Sequence, residues 1–242
     1  MEGFELVLDD ISIETSDLRI EYIEFKRSIL KPIGIKKNII ALNDINFKVK
    51  NGEIVALIGK NGAGKSTLLN AIAGNVRPND GQIITMGRVI LLAGVNAGFD
   101  ADITGRQNIL ELSKAYGIPN DKIEEVLNSV LEFSELGDAI DRNYRGYSTG
   151  MKGKLGFGFI TSLNPEILLI DETLGVGDTR FRAKAQERLR KFIQRSNTVL
   201  ISTHSLGLAK EICTRGLVLD EGKLIFDGEI NEAVATYVKN SE

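Results

Sequence analysis

The chain has 242 residues, which is long enough for one large domain with a substantial buried core. With 43% hydrophobic and 26% charged residues, 25 glycines and only 4 prolines, its composition excludes a disordered or fibrous protein. The net charge of -3 provides no global positive field to hold a polyanion, so we expect no nucleic-acid partner.

The N-terminal part of the chain has the pattern of antiparallel strands. Ile45, Phe47 and Val49 alternate with polar residues ahead of an Asn51-Gly52 turn, which is typical of a strand with one buried face. The segment from Lys31 to Asn38 contains a proline, a glycine and three lysines, and this composition predicts an exposed loop. We therefore expect a β-rich layer at the N-terminus.

Three short apolar runs predict strands that are buried on both faces. They are Ile54 to Ile58, Ile167 to Ile170 and Thr198 to Ser202, and none of them alternates with polar residues. Such runs are typical of a parallel sheet covered by helices. Each run is followed by polar residues, and ligands of open α/β sheets bind at the carboxyl ends of the strands. The three polar segments should therefore meet in one crevice.

A glycine-rich loop follows the first of these strands. It fits the pattern G-x-x-x-x-G-K-[ST], in which the backbone curls so that consecutive amides face phosphate oxygens and the lysine offsets phosphate charge. A helix starting near Gly64 would direct its positive end at the same anion. The predicted nucleotide-binding residues are Gly59, Lys60, Asn61, Gly62, Ala63, Gly64, Lys65, Ser66 and Thr67. A glycine-rich turn with a surface lysine is the alternative.

Acidic residues follow the second strand, and the only histidine follows the third. Asp171 is placed to bind Mg²⁺ through water, Ser66 would place its hydroxyl on the same ion, and Glu172 can act as the general base for an attacking water. His204 should lie beside the γ-phosphate and sense it. We assign catalytic roles to Glu172, His204 and Lys65. Alone, an acidic pair at a strand end can also be a polar cap.

Helical periodicity and one hairpin signal complete the pattern. Apolar spacing predicts a helix from Asp121 to Leu136, with Asp121 and Glu124 placed as a capping box. A second helix is predicted from Ala183 to Gln194, with its basic face in solvent. The segment from Leu217 to Phe226 predicts a hairpin.

The chain resembles the ATPase subunits of ATP-binding cassette (ABC) transporters, because the phosphate loop, the ILLIDE segment at 167-172 and His204 follow one another in this order. The resemblance implies a single nucleotide-binding domain over residues 1-242 with an α/β fold of the P-loop nucleoside triphosphatase type. Its RecA-like, mostly parallel sheet would carry an antiparallel β layer and an inserted helical subdomain at about 94-164. It also implies ATP and Mg²⁺ as ligands, a homodimer that sandwiches two ATP molecules, and a separate membrane-spanning permease subunit.

The resemblance also assigns residues outside the phosphate loop. Tyr147 to Met151 (YSTGM) stands where the common family form reads LSGGQ, so Ser148 and Gly150 would contact ATP held by the other subunit. A plain helix cap at Ser148 is the alternative. Asp178 would bridge the two subunits. The adenine-stacking aromatic falls at Tyr22, with Phe25 as the alternative.

Further segments resemble a narrower group within that family. Three segments are similar to segments of exporters of O-antigen, capsule and teichoic acid. They are Gly87 to Asn108, the altered form YSTGMKGKL of the family signature LSGGQ, which starts at Tyr147, and the GVGD turn at 175-178. The common glutamine near Val95 or Asn96, which links Mg²⁺ to the transmembrane partner, is missing. Some O-antigen exporters continue into a C-terminal carbohydrate-binding domain, and we expect none in this chain.

The function expected from these patterns is ATP hydrolysis that powers polysaccharide export. No apolar run approaches the roughly 20 residues that a membrane span needs, so we expect a peripheral subunit on the cytoplasmic face of the cell membrane. An importer, or an exporter of something other than glycan, is the main alternative. A GTPase would need a guanine-reading N-K-x-D segment, which the sequence lacks. A nucleotide kinase would need an acceptor-binding lid.

Overall fold

The computed structural model describes residues 10-28, 31-93, 98-171 and 179-241, with side chains for all of these except 24-28, 31-37, 179 and 180. Their strands are β1 (Ile11–Ser28), β2 (Lys31–Lys50), β3 (Ile54–Ile58), β4 (Asp80–Thr85), β5 (Val89–Leu92), β6 (Ile167–Ile170), β7 (Thr198–Ser202), β8 (Arg215–Asp220) and β9 (Lys223–Glu229). Their α-helices are α1 (Lys65–Ile72), α2 (Gly105–Ala115), α3 (Asn120–Ser134), α4 (Thr149–Ile160), α5 (Thr179–Arg195), α6 (Leu206–Ile212) and α7 (Ile230–Lys239). Short 3-10 helices cover Gly137–Asp141 and Tyr144–Gly146.

The chain divides into two compact units. The first contains the described residues up to Leu91, from Glu166 to Asp171 and from Asn197 onward. The second contains the described residues from Leu92 to Pro165 and helix α5. The helical subdomain predicted at about 94-164 does not include α5, whereas this second unit does.

A six-stranded sheet forms the centre of the first unit. Its strand order is β5-β6-β7-β3-β8-β9, and the four consecutive strands β6, β7, β3 and β8 are parallel to one another. All residues of β6 and β7 are buried, as are four of the five in β3. The prediction of three parallel strands buried on both faces is therefore confirmed. The hairpin predicted near Leu217 to Phe226 is formed by β8 and β9, which pair antiparallel.

A second sheet of three antiparallel strands has the order β2-β1-β4. Its inner residues, including Ile13, Leu18 and Ile45, join Leu57 and Leu200 of the six-stranded sheet in one core. The two sheets are also linked by a buried hydrogen bond of 2.8 Å between the hydroxyls of Ser12 and Thr198. The predicted antiparallel β layer is present.

The prediction of an exposed loop from Lys31 to Asn38 is wrong. These residues belong to strand β2 and pair with β1, in a register that sets Ser28 opposite Lys31 and Ile23 opposite Asn38. Proline and glycine usually indicate a turn, but among the described strands of this sheet β2 pairs with β1 alone. An edge strand tolerates proline because the missing N–H can lie on the unpaired side.

The second unit packs helices α3, α4 and α5 around aromatic side chains. The ring of Phe133 on α3 lies 4.9 Å from that of Phe181 on α5 and 5.5 Å from that of Phe157 on α4. Arg188 of α5 donates to the hydroxyl of Thr161 at 2.6 Å and to that of Ser129 at 2.9 Å. These contacts explain why α5 belongs to this unit.

Two helix boundaries differ from the prediction. Helix α3 begins at Asn120 with Pro119 as its N-cap, so Asp121 lies inside the first turn and forms no capping box. It ends at Ser134 because Glu135 adopts a left-handed conformation (φ 55°). Helix α5 extends beyond the predicted Ala183 to Gln194 at both ends. Within the described residues, no helix has the length and apolar character needed to cross a membrane.

Candidate nucleotide-binding site

The phosphate loop connects β3 to α1, as predicted. Gly64 is the N-cap of α1 and has φ 105°, a backbone conformation that residues with a Cβ atom rarely adopt. A Cβ atom at this position would lie 2.7 Å from Cδ2 of Leu42 and 2.8 Å from the carbonyl oxygen of Ala41. The loop is thus curled tightly against β2. The first amides of α1 have no acceptor within the helix, as at any helix N-terminus, and such amides beside a glycine-rich loop are a common anion site.

The ammonium group of Lys65 lies over this loop. Its Nζ donates to the carbonyl of Gly59 at 2.6 Å and to that of Lys60 at 3.0 Å, and the residue is only 8% exposed. The buried charge is therefore held at the loop by backbone oxygens. The next residue, Ser66, is exposed at the first turn of α1. A cation and a hydroxyl are thus adjacent in sequence at the start of α1.

Two contacts outside the loop hold it in place. In the turn between β8 and β9, the N–H of Gly222 donates to the carbonyl of Ala63 at 3.1 Å. The carbonyl of Gly222 accepts from the N–H of Asn43 at 2.8 Å, so this turn joins the loop to β2. The Nζ of Lys60 donates to the carbonyl of Asn240, just after helix α7, at 2.9 Å. The sequence patterns gave no indication of the Gly222 and Asn240 contacts.

The structure brings the ends of the three predicted strands to one edge of the sheet. Strand β7 lies between β3 and β6, and all three are parallel, with Leu57 opposite Ser202 and Ile170 opposite Ile201. The phosphate loop and Asp171 are thus two strand spacings apart, which is about 10 Å. His204 follows the strand between them and is exposed. The predicted convergence is present for Asp171, His204 and the loop.

The surroundings of Asp171 fit a hard cation. The side chain is 7% exposed, and among the described residues no hydrogen bond or ion pair of its carboxylate is found. A buried carboxylate without protein donors calls for water or a metal ion. Carboxylate and hydroxyl oxygens are the ligands that Mg²⁺ prefers in proteins. Asp171 and the hydroxyl of Ser66 therefore make a suitable donor set for Mg²⁺.

The signature segment lies in the second unit and starts helix α4. Ser148 is the N-cap of this helix, and its side chain accepts from the N–H of Met151 at 3.2 Å. The capping interpretation of Ser148 is therefore confirmed. Capping does not exclude ligand binding, because Ser148 and Gly150 are both exposed at the positive end of a helix. Their role toward ATP stays a prediction.

Several predicted site residues lie outside the described part of the chain. They are Glu172, Asp178 and the positions Val95 and Asn96, where the family glutamine is missing. Tyr22 is on β1 with its side chain 43% exposed, and the Phe25 side chain is not described. The assignments of Glu172, Asp178 and Tyr22 stay predictions.

Solved structures of similar fold support this description. The structure of an ATP-binding subunit of an ABC transporter superposes with a TM-score of 0.73 at 24% identity, covering 94% of this chain and 93% of that one. A dimeric ATP-binding cassette with ADP and phosphate gives a TM-score of 0.68 at 19% identity, covering 90% and 98%. Together with the loop at the end of β3, these likenesses define the fold as that of a P-loop nucleoside triphosphatase.

The sequence comparisons define the family. The profile described as "ABC transporter" matches residues 42-175. The O-antigen export system ATP-binding protein RfbB of Klebsiella pneumoniae is 39% identical over 82% of this chain and 80% of its own length. The teichoic acids export ATP-binding protein TagH of Staphylococcus haemolyticus is 34% identical over 94% and 88%. The chain belongs to the ABC transporter family.

Proposed function

We propose that this chain is the ATP-hydrolysing subunit of a polysaccharide exporter. The observation that carries the proposal is the shared sheet edge at which the phosphate loop, Asp171 and His204 meet. The triphosphate of ATP binds along the loop, where the amides of α1 and the ammonium of Lys65 offset its charge. The adenine stacks on Tyr22. Names of relatives in O-antigen and teichoic-acid export support the choice of substrate class.

Hydrolysis requires an attacking water and a stabilised leaving group. Glu172, directly after Asp171, takes the proton of the water as general base, and His204 contacts the γ-phosphate. Lys65 leaves its carbonyl partners in the loop and bonds to phosphate oxygens. Mg²⁺ held by Asp171 and Ser66 would offset charge on the β- and γ-phosphate oxygens.

The complete catalytic site needs two copies of the chain. Each ATP is enclosed between the phosphate loop of one copy and the segment of Ser148 and Gly150 of the other, with Asp178 at the contact between copies. An exposed helix N-terminus with a serine hydroxyl supports this role, because it offers amides and a positive dipole end to a γ-phosphate. ATP closes the dimer, and its hydrolysis opens it.

The motion is passed to a membrane-spanning subunit. A helical subdomain at about 94-164 makes this contact, and the chain lies on the cytoplasmic face of the cell membrane as a peripheral subunit. The exported substrate is a lipid-linked glycan of the O-antigen, capsule or teichoic-acid type. Because the family glutamine is missing, Asn96 or a water replaces it in the coupling.

The catalytic base is tested by Glu172→Gln in the full chain. We expect no phosphate release above background and ATP affinity within about twofold of the wild type, because the amide keeps its size but accepts no proton. Glu166→Gln is the matched control. Glu166 precedes the same strand at its opposite end and accepts from the N–H of Arg88 at 2.9 Å, so this variant should hydrolyse normally. Phosphate release by Glu172→Gln at the wild-type rate would refute the assigned base.

The substrate class is tested by affinity purification from membranes of the native host. We expect a multi-span permease to copurify, and lipid-linked glycan to stimulate phosphate release by the assembled complex. Stimulation by a non-glycan substrate, or copurification with a substrate-binding import system, would contradict polysaccharide export while leaving ATP hydrolysis in place.

A further inference from the structure

We propose that Tyr147 is a positioning residue that fixes the start of helix α4 through its phenol hydroxyl. The inference rests on the proposed function, because it concerns the segment that meets ATP bound to the other copy. Tyr147 immediately precedes Ser148, the N-cap of α4. Ser148 is exposed, whereas Tyr147 is 5% exposed, so the chain passes from a buried ring to an exposed hydroxyl within one residue.

The hydroxyl of Tyr147 lies between two residues, Ala139 and Gly105. It donates to the carbonyl of Ala139 at 2.7 Å. It also lies against Gly105, the first residue of α2, where an added Cβ would be only 2.3 Å from the phenol oxygen. The ring therefore fits between a hydrogen-bond acceptor and a residue that must lack a side chain. A leucine, which the common form of the signature has here, could fill part of this space but could not donate.

The surface that receives the hydroxyl is itself held together. The N–H of Tyr144 donates to the carbonyl of Ile103 at 3.0 Å, and Arg106 forms an ion pair of 2.7 Å with Asp141. These contacts tie the segment before the signature to the N-terminal end of α2. The hydrogen bond to Ala139 thus connects Tyr147 to a segment that these contacts hold against the start of α2.

The ring is fixed as well as the hydroxyl. It lies 5.4 Å from the ring of Tyr144, which in turn lies 5.0 Å from the ring of Phe99. Burial raises the pKa of the Tyr147 phenol, so the hydroxyl remains a donor at neutral pH. The Ser148 hydroxyl and the first amides of α4 follow directly from this anchored ring. Their position toward an incoming γ-phosphate is therefore set by Tyr147.

The experiment measures ATP-driven dimerisation, which depends on the signature but requires no hydrolysis. In full-length protein carrying Glu172→Gln, the dimer dissociation constant at saturating Mg²⁺-ATP is determined by analytical ultracentrifugation. We expect Tyr147→Phe to raise this constant about tenfold, the size of a lost buried hydrogen bond. ATP affinity of the monomer should remain within about twofold. Tyr116→Phe is the matched control, because it removes the same atom from a ring that packs edge-to-face against Phe159 in the same unit.

A double-mutant cycle separates positioning from stability. If Tyr147 positions the start of α4, Tyr147→Phe should raise the constant by a clearly smaller factor in the Ser148→Ala background than in the parent, because both variants then weaken the same contact. An equal loss in both backgrounds, or normal dimerisation by Tyr147→Phe, would overturn the inference alone. If the parent protein fails to associate with Mg²⁺-ATP, the proposed dimer falls and this inference falls with it. If Ser148→Ala associates normally, the role of Ser148 and this inference fall while the dimer stands.

Gly105→Ala provides a second variant that leaves the Tyr147 side chain intact. Its methyl group would overlap the phenol oxygen, so we expect weaker dimerisation than in the parent. Combining it with Tyr147→Phe removes that overlap and should relieve part of the defect. A defect of Gly105→Ala that Tyr147→Phe makes worse by its full separate effect would contradict the positioning role.

Discussion

At the scale of single residues, burial decides what a functional group can do. Lys65 is almost fully buried, and two loop carbonyls accept hydrogen bonds from its ammonium group. Phosphate oxygens carry more negative charge than these carbonyls, so a nucleotide can replace them as acceptors. Asp171 is 7% exposed and has no hydrogen-bond donor among the described residues, so water or a cation is needed as the partner of its carboxylate. Lys65 is therefore suited to bind an anion, and Asp171 is suited to bind a cation.

Cys213 gives a prediction at this scale. Burial raises the pKa of its thiol to about 12, so the reactive thiolate at pH 8 amounts to about one molecule in ten thousand. We expect iodoacetamide to leave Cys213 unmodified in the native protein and to modify it completely in denaturant. Mass spectrometry measures both, and rapid native alkylation would contradict the buried position.

The same pKa shift predicts a pH dependence of stability. In the unfolded chain the thiol has a pKa of about 8.5. The folded state therefore binds more protons between about pH 8.5 and 12, and the free energy of unfolding falls as the pH rises through that window. Denaturant titrations of the wild type and of Cys213→Ala should diverge there, with the wild type losing more. Parallel curves would show that Cys213 makes no such contribution.

At the scale of elements, the loop and helix α1 depend on one backbone conformation. Gly64→Ala forces a Cβ into the space of Leu42 and Ala41 at positive φ. We expect a loss of unfolding free energy of about 2 kcal/mol or more, together with loss of ATP binding. Denaturant unfolding and a fluorescent-nucleotide titration measure the two effects.

Gly207→Ala is the matched control for this substitution. Gly207 lies within helix α6, and an added Cβ would meet nothing within 4 Å. Alanine is the better helix former, so this variant should be about 0.5 to 1 kcal/mol more stable and bind ATP normally. If Gly64→Ala behaves like this control, the loop does not require the left-handed conformation.

Most elements could be predicted from the sequence because their patterns are local. The unbroken apolar runs of β3, β6 and β7 and the loop motif after β3 contain the information that places them. Strand β2 was missed over Lys31 to Asn38 because its strand character comes from pairing with β1, which composition does not show. The contacts of Tyr147 with Ala139 and Gly105 were missed because they depend on how the chain folds back on itself, over eight residues to Ala139 and a longer distance to Gly105.

At the scale of the whole molecule, the two units divide the proposed work. The first contains the phosphate loop, Asp171 and His204, and the second contains Ser148 and Gly150. Neither unit alone supplies a complete site, so the proposed site is completed by the second unit of another copy. Under the proposed function, ATP binding to the single chain and ATP-driven dimerisation should therefore be measurable as separate events.

The most direct test of the proposed site is isothermal titration of ATP into the purified chain with and without Mg²⁺. We expect binding to tighten at least about tenfold with Mg²⁺, because a cation held by Asp171 would offset the repulsion between its carboxylate and the phosphates. In Asp171→Asn this gain should largely disappear. Absence of ATP binding, or a gain from Mg²⁺ that is the same in Asp171→Asn as in the wild type, would contradict the assigned site.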